Sequence, residues 1–150
     1  MPLTVTVDSA PLLAVLDRLY ATTSDLTPIM DAIGMEMESR ISQRFEDEAD
    51  PLGLPWADWK PSTKANYPKD GNKRKLDRFG DMLAGLSHQA TADSAIIGFD
   101  REYAAYHEWG TKHMERRGLL FADPDAGTLA PDDERALIDI IMQTLDAALD

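Results

Sequence analysis

The chain has 150 residues, a mass of 16.6 kDa, 43% apolar and 28% charged residues, which suits one compact domain and excludes disorder throughout. Its formal charge of −12 argues against free nucleic-acid binding as the main task, because an acidic chain repels phosphate backbones. Without cysteine there is no disulfide framework, thiolate zinc site or cysteine nucleophile, and apolar runs as short as Ala136-Leu137-Ile138 and Ile140-Ile141-Met142 fall far below the ~20 residues of a membrane span.

Residues 3–7 alternate Leu3, Val5 and Val7 with Thr4 and Thr6, the period of a half-buried strand. This N-terminus has neither the basic patch nor the apolar stretch of a secretory signal, so a soluble protein that stays in the cytosol is expected. Asp8 or Ser9 can cap a following helix that carries Leu12, Leu13, Leu16, Leu19 and Tyr20 and ends near Thr22, with Pro11 tolerated in its first turn. A second helix is predicted after Thr27, with Pro28 at its first position. Its stripe Leu26, Met30, Ile33, Met37, Ile41 and Phe45 keeps three- and four-residue spacing as far as Asp47, while Asp31, Glu38, Ser42 and Glu46 form the polar side.

From Ala49 to Pro68 prolines and Gly53 predict an ordered loop without regular structure, its Trp56 and Trp59 packed over the long helix. Lys69 to Arg78 follows as an exposed basic segment with five positive and two negative residues. A short helix is predicted around Phe79, Met82, Leu83 and Leu86. A hairpin then runs from His88 to Ala92, turns at Asp93-Ser94 and returns through Ala95 to Phe99, with Gly98 marking a bulge or a close backbone approach. Residues 101–110 place Tyr103, Tyr106 and His107 on one helical face before Gly110 stops the turn. After a loop from Thr111 to Arg117, residues 118–121 read as a short apolar strand ended by Pro124. The last helix starts near Pro131, with Asp132, Asp133 and Glu134 suiting the positive end of its dipole and Leu137, Ile138, Ile141, Leu145, Ala148 and Leu149 on its apolar side.

The expected fold is therefore α+β: long N-terminal helices and a C-terminal helix packed on a small, mainly antiparallel sheet. The expected organisation is a single domain over 1–150, divided into 1–48, 49–78, 79–122 and 128–150. Charge is uneven along it: residues 1–50 hold 3 basic and 10 acidic side chains, 51–118 hold 11 and 9, and 119–150 hold 1 and 8.

Catalytic patterns are weak. His107 and His113 lie six apart with Gly110 between them, whereas the zinc-protease motif needs two histidines four apart on one helix face, so no metal site is expected. Gly85-Leu86-Ser87-His88-Gln89 lacks the second glycine of a nucleophile elbow, and there is no phosphate-cradling glycine run. The expectation is a protein that is not an enzyme and takes no cofactor. His107 and Trp109 are read as packing residues, a buried histidine and aromatic that fix the adjoining loop. A small binding or adaptor protein and a metal-dependent hydrolase are the alternatives.

One stretch is more specific. Gly80-Asp81-Met82-Leu83 precedes Ile97-Gly98, then Tyr103-Ala104-Ala105-Tyr106-His107-Glu108-Trp109-Gly110-Thr111, then Met114-Glu115-Arg116-Arg117-Gly118-Leu119-Leu120-Phe121. This order resembles the phage virion morphogenesis family, the tail-completion or head–tail joining proteins of Mu-like and related tailed phages. Glu108 stands where the family usually has glutamine, Trp109 where it has phenylalanine, and Glu115 where proline is common. The long N-terminal helix, the Pro-Trp loop and the closing helix extend the resemblance over most of the chain.

The resemblance implies a structural protein of the virion neck, a subunit of a homo-oligomeric ring of about six copies between head connector and tail tube, as cyclic symmetry permits. It implies assembly in the host cytoplasm, location at the head–tail junction, neighbours in the adjacent connector and tail-tube proteins, and no membrane partner. Within it, Tyr103, His107, Trp109, Gly110, Leu119 and Phe121 form the structural motif. Lys73, Arg74, Lys75, Arg78, Lys112, Arg116 and Arg117 are expected to face either a neighbour's acidic helix or DNA in the channel, contacted without sequence preference.

Overall fold

The computed structural model describes residues 3–4, 10–21, 25–66, 75–76 and 80–149. Val5, Val7, the capping candidates Asp8 and Ser9, Thr22, Lys69–Arg74, Arg78 and Phe79 lie outside the described residues, as do the side chains of Leu13, Leu19, Tyr20, Leu145, Ala148 and Leu149.

The architecture is α+β. Strand β1 (Leu3–Thr4) precedes helices α1 (Ala10–Tyr20), α2 (Thr27–Asp47), α3 (Pro61–Asn66) and α4 (Asp81–Ala84). Strands β2 (Leu86–Ala90) and β3 (Ala95–Phe99) form the hairpin, and helices α5 (Tyr103–Trp109) and α6 (Pro131–Leu149) follow. The three strands are antiparallel in the order β1-β3-β2.

Helix α2 is the spine. All six residues of its predicted stripe are buried, and one side of the helix packs on β2 and β3 while α6 packs on another. The 21-residue helix is about 30 Å long at ~1.5 Å per residue, so it reaches across the fold. Pro28 is accommodated at its start, where an N–H has no intrahelical acceptor, and Glu48 ends it in a left-handed conformation with φ 50°. Phe45 joins the layers: its ring meets Trp56 edge-on at 5.6 Å and Phe99 of β3 at 6.2 Å. Trp56 thus packs on the long helix as predicted.

Four local expectations change. The Pro-Trp stretch contains regular structure, since Pro61 opens the six-residue α3 and Ala49 bridges to Pro55. The short helix after the basic segment is only four residues long, because Leu86 and Ser87 are drawn into pairing with Phe99 and Gly98. Gly98 is no bulge: it keeps regular register between Thr4 and Ser87 in the central strand. Residues 118–121 form no strand, although Gly118, Leu119, Leu120 and Phe121 are all buried. Their backbone groups are instead satisfied by side chains, which creates a buried polar hub.

Close packing between α2 and the hairpin depends on one glycine. A Cβ on Gly34 would stand 2.3 Å from His88 Cδ2 and 2.9 Å from His88 Cβ, and this ring has little room to retreat because Asp31 and Glu38 flank it on α2. Gly34→Ala is therefore expected to cost about 1–3 kcal/mol through overpacking, read as a lowered urea midpoint.

Candidate functional site

The polar hub is built around residues 108–121. Helix α5 turns Ala104 and Glu108 inward, both with 0% exposure. A carboxylate this deeply buried requires hydrogen-bond donors, and the following segment supplies them. The Leu119 and Leu120 amides donate to Glu108 Oε2 at 2.6 and 3.0 Å, and the Phe121 amide donates to Oε1 at 3.0 Å. Arg116 closes the ring: Nε donates to the Glu108 carbonyl at 2.7 Å, Nη2 donates to the Phe121 carbonyl at 2.6 Å, and Nη2 lies 3.4 Å from Oε1.

The carbonyls of the same segment are held from elsewhere. Trp56 Nε1 donates to the Gly118 carbonyl at 2.9 Å, and Arg44 Nη1 of α2 donates to that of Leu119. Arg44 also pairs with Asp133 in the first turn of α6, and both side chains are buried. Asp133 was expected only to complement the helix dipole; it also anchors α6 to α2. Arg40 adds a second contact to Asp133 at 3.5 Å. At the turn between the two halves of the motif, Gly110 adopts φ 74°, and a Cβ there would stand 3.0 Å from the Arg116 nitrogen. Leu119 and Phe121 are fully buried.

One sequence-based placement is corrected. Trp109 is 42% exposed and so is not a buried packing aromatic; the buried member of the His107-Glu108-Trp109 triplet besides the half-buried histidine is Glu108. Arg116 and Arg117, expected to face a neighbour's acidic helix or DNA, are half-exposed and bond carbonyls of their own chain, with Arg117 donating to those of Ala57 and Asp58 at 2.9 and 3.0 Å. Lys75 is half-buried, its Nζ 3.9 Å from Glu48 and 3.8 Å from Asp58. Lys112 is exposed, while Lys73, Arg74 and Arg78 lie outside the described residues.

The two best-placed histidines are shifted in opposite directions. His88 lies 2.7 Å from Asp31 and 2.9 Å from Glu38, and hydrogen bonding to these carboxylates, Asp31 foremost, raises its pKa above the ordinary 6.5. His107 is pushed down to about 4, first by burial and then by the Arg117 charge. The His88 clamp therefore contributes stability that is complete below pH ~6.5 and fades as pH rises through its folded pKa. For His107 the unfolded chain binds the proton more readily, so stability falls as pH drops from about 6.5 towards 4. Consequently, His107→Phe should flatten the loss of stability between pH 6.5 and 4, and His88→Gln should remove the decline above pH ~6.5. Urea titrations across this range test both effects.

Among the described residues no group of three or more histidine and carboxylate side chains is arranged to hold a metal ion, and no helix is long and apolar enough to cross a membrane. The solvent-facing side of the hub is an aromatic row: Tyr103, Tyr106 and Trp109 are 41%, 54% and 42% exposed. Fold and site together define a small α+β protein in which a buried polar scaffold underlies an exposed aromatic row.

The profile of the phage virion morphogenesis family matches residues 7–146. The capsid assembly protein G of Escherichia phage Mu is 31% identical over 154 aligned positions, which cover 99% of this chain and 97% of that protein. The Mu-like prophage FluMu G protein 2 of Haemophilus influenzae is 26% identical over 126 positions, covering 84% and 83%. No solved structure matches. The chain belongs to the phage virion morphogenesis family and has a structural or assembly role in making phage particles.

Proposed function

We propose that this protein is a subunit of the ring at the head–tail junction, where it completes the neck so that a tail can join a DNA-filled head. The observation that carries this reading is the presence of two dissimilar exposed patches on one family-typical chain. One is the α5 aromatic row followed by exposed Lys112 and His113; the other is an α6 surface bearing Asp132, Asp139 and Asp146. A ring closed by head-to-tail contacts needs two different, mutually complementary patches on each subunit, whereas a monomeric adaptor needs only one. The reading assigns the protein no catalytic step and no cofactor, and its neighbours are further copies and the adjoining connector and tail-tube proteins.

A nonsense codon in the gene, with particles examined by negative-stain electron microscopy, tests the role. Filled heads and finished tails that accumulate apart are expected. Loss of heads altogether would point instead to an earlier capsid step, the process named for the phage Mu relative, and normal virions would overturn both. Native mass spectrometry of the purified protein separates a closed oligomer from an adaptor of one or two copies.

A further inference from the structure

We infer that the α5 aromatic row of one copy docks into the groove between α2 and α6 of the next copy, an assignment that rests on the ring reading above. Residues three apart on an α-helix step by about 60°, so Tyr103, Tyr106 and Trp109 form a continuous ridge over about one third of the circumference of α5. The opposite side of this helix is fixed by Ala104 and Glu108, so the ridge is held rigid before any partner arrives. Large aromatics presented at low entropic cost are the residues that dominate protein interfaces. The ridge continues into a mainly basic flank, where Lys112 and His113 are exposed beside exposed Glu115 and Lys60 donates to the His113 carbonyl at 3.2 Å.

The receiving surface has matching chemistry. Between α2 and α6 lies an open groove of about 500 Å³ with Ala136 and Ile140 among its lining residues. Three carboxylates line it, Glu36, Asp132 and Asp139, against two guanidinium groups, those of Arg40 and Arg135. Arg40 is shared between Glu36 at 2.9 Å and buried Asp133 at 3.5 Å, which leaves negative charge in excess. Asp132, Asp139 and Asp146 are seven apart and fall within about 20° of one another per step, so the acidic stripe runs along the exposed side of α6. The lining is mainly polar: Ala136 and Ile140 give the ridge a small apolar seat, the guanidinium groups suit aromatic faces, and the carboxylates suit Lys112 and Lys60. The patches lie on different elements of the same chain, so their pairing propagates from copy to copy. Aromatic rings beside lysines also suit single-stranded nucleic acid, but the overall charge of −12 repels a phosphate backbone, so the complement argued for the basic flank is the acidic stripe on α6 of a second copy.

The test places the photocrosslinking residue benzoylphenylalanine at Tyr106 in the full chain. An equal mixture of isotope-labelled and unlabelled chains is then illuminated, both purified and after complementation of the nonsense phage. The expected product joins position 106 to a peptide within residues 131–149, with both isotopes in one adduct. An adduct to another virion protein, to DNA, or to any other part of this chain would overturn the docking assignment, as would the absence of a mixed adduct. Tyr106→Ala and Asp139→Lys, both at exposed positions, should each raise the dissociation constant of the oligomer by about tenfold or more. Lys112→Glu should do likewise, and combining Lys112→Glu with Asp139→Lys should restore part of the loss. Unchanged oligomers in all single variants would reject the contact. Failure of the neck reading is seen separately, as particles in which tails join without this protein.

Discussion

Glu108→Ala is expected to destabilise the protein by about 4 kcal/mol or more, because three buried amides lose their acceptor and each unsatisfied group costs about 1–3 kcal/mol. That is a large share of the roughly 5–15 kcal/mol that holds a domain of this size together. Glu108→Gln should be milder, at about 2 kcal/mol, since one amide oxygen can still serve the Leu119 and Leu120 amides while the NH2 group faces donors it cannot accept from. The family pattern usually places glutamine here, so this variant is expected to fold. Urea unfolding of both variants gives the comparison; a loss below about 1 kcal/mol for the alanine variant would mean the hub is not a keystone of the fold.

Asp133→Ala is expected to cost about 3–5 kcal/mol, because it leaves the Arg44 guanidinium, only 7% exposed, without its carboxylate. Removing both charges together, as Arg44→Met with Asp133→Leu, should cost less than the single change, since no buried ion then remains. It should not be neutral, because the Leu119 carbonyl also loses the Arg44 donor. A double-mutant cycle read by equilibrium unfolding measures the coupling between the two side chains, and coupling near zero would show that α6 is anchored by its apolar side alone.

The parts of this structure that repeat in sequence were the readable ones. Helix α2 announces itself through an apolar residue every three or four positions, and the hairpin through short runs around Asp93-Ser94. The family motif from Tyr103 to Phe121 was also legible as a pattern, but the task of its central acid was not. An acidic residue between histidine and tryptophan reads as surface, and only the three-dimensional path of residues 119–121 shows why it is buried. The apolar run at 118–121 imitates a strand because burial, rather than pairing, selected its side chains. The His88 clamp leaves no local signature, because its partner Asp31 lies 57 positions away with no periodicity linking them. Arg116 and Arg117 read by composition as charges for a neighbour or DNA, yet their long planar groups also reach the Phe121 and Ala57 carbonyls of their own chain. The aromatic row contributes the converse case: spacing grouped Tyr103 and Tyr106 with His107, whereas the exposed row continues through Trp109 and His107 turns partly inward, a direction defined only by the burial of Glu108.

Residues 119–121 belong to no helix or strand, yet their amide protons are bound to a carboxylate with no contact with solvent. In deuterated buffer such protons can exchange only when Glu108 lets go, which requires Arg116 and α5 to move with it. These three amides should therefore exchange on the slow timescale of global unfolding, with the core of α2 rather than with surface turns. A segment that looks like a loop would then report the opening of the whole molecule.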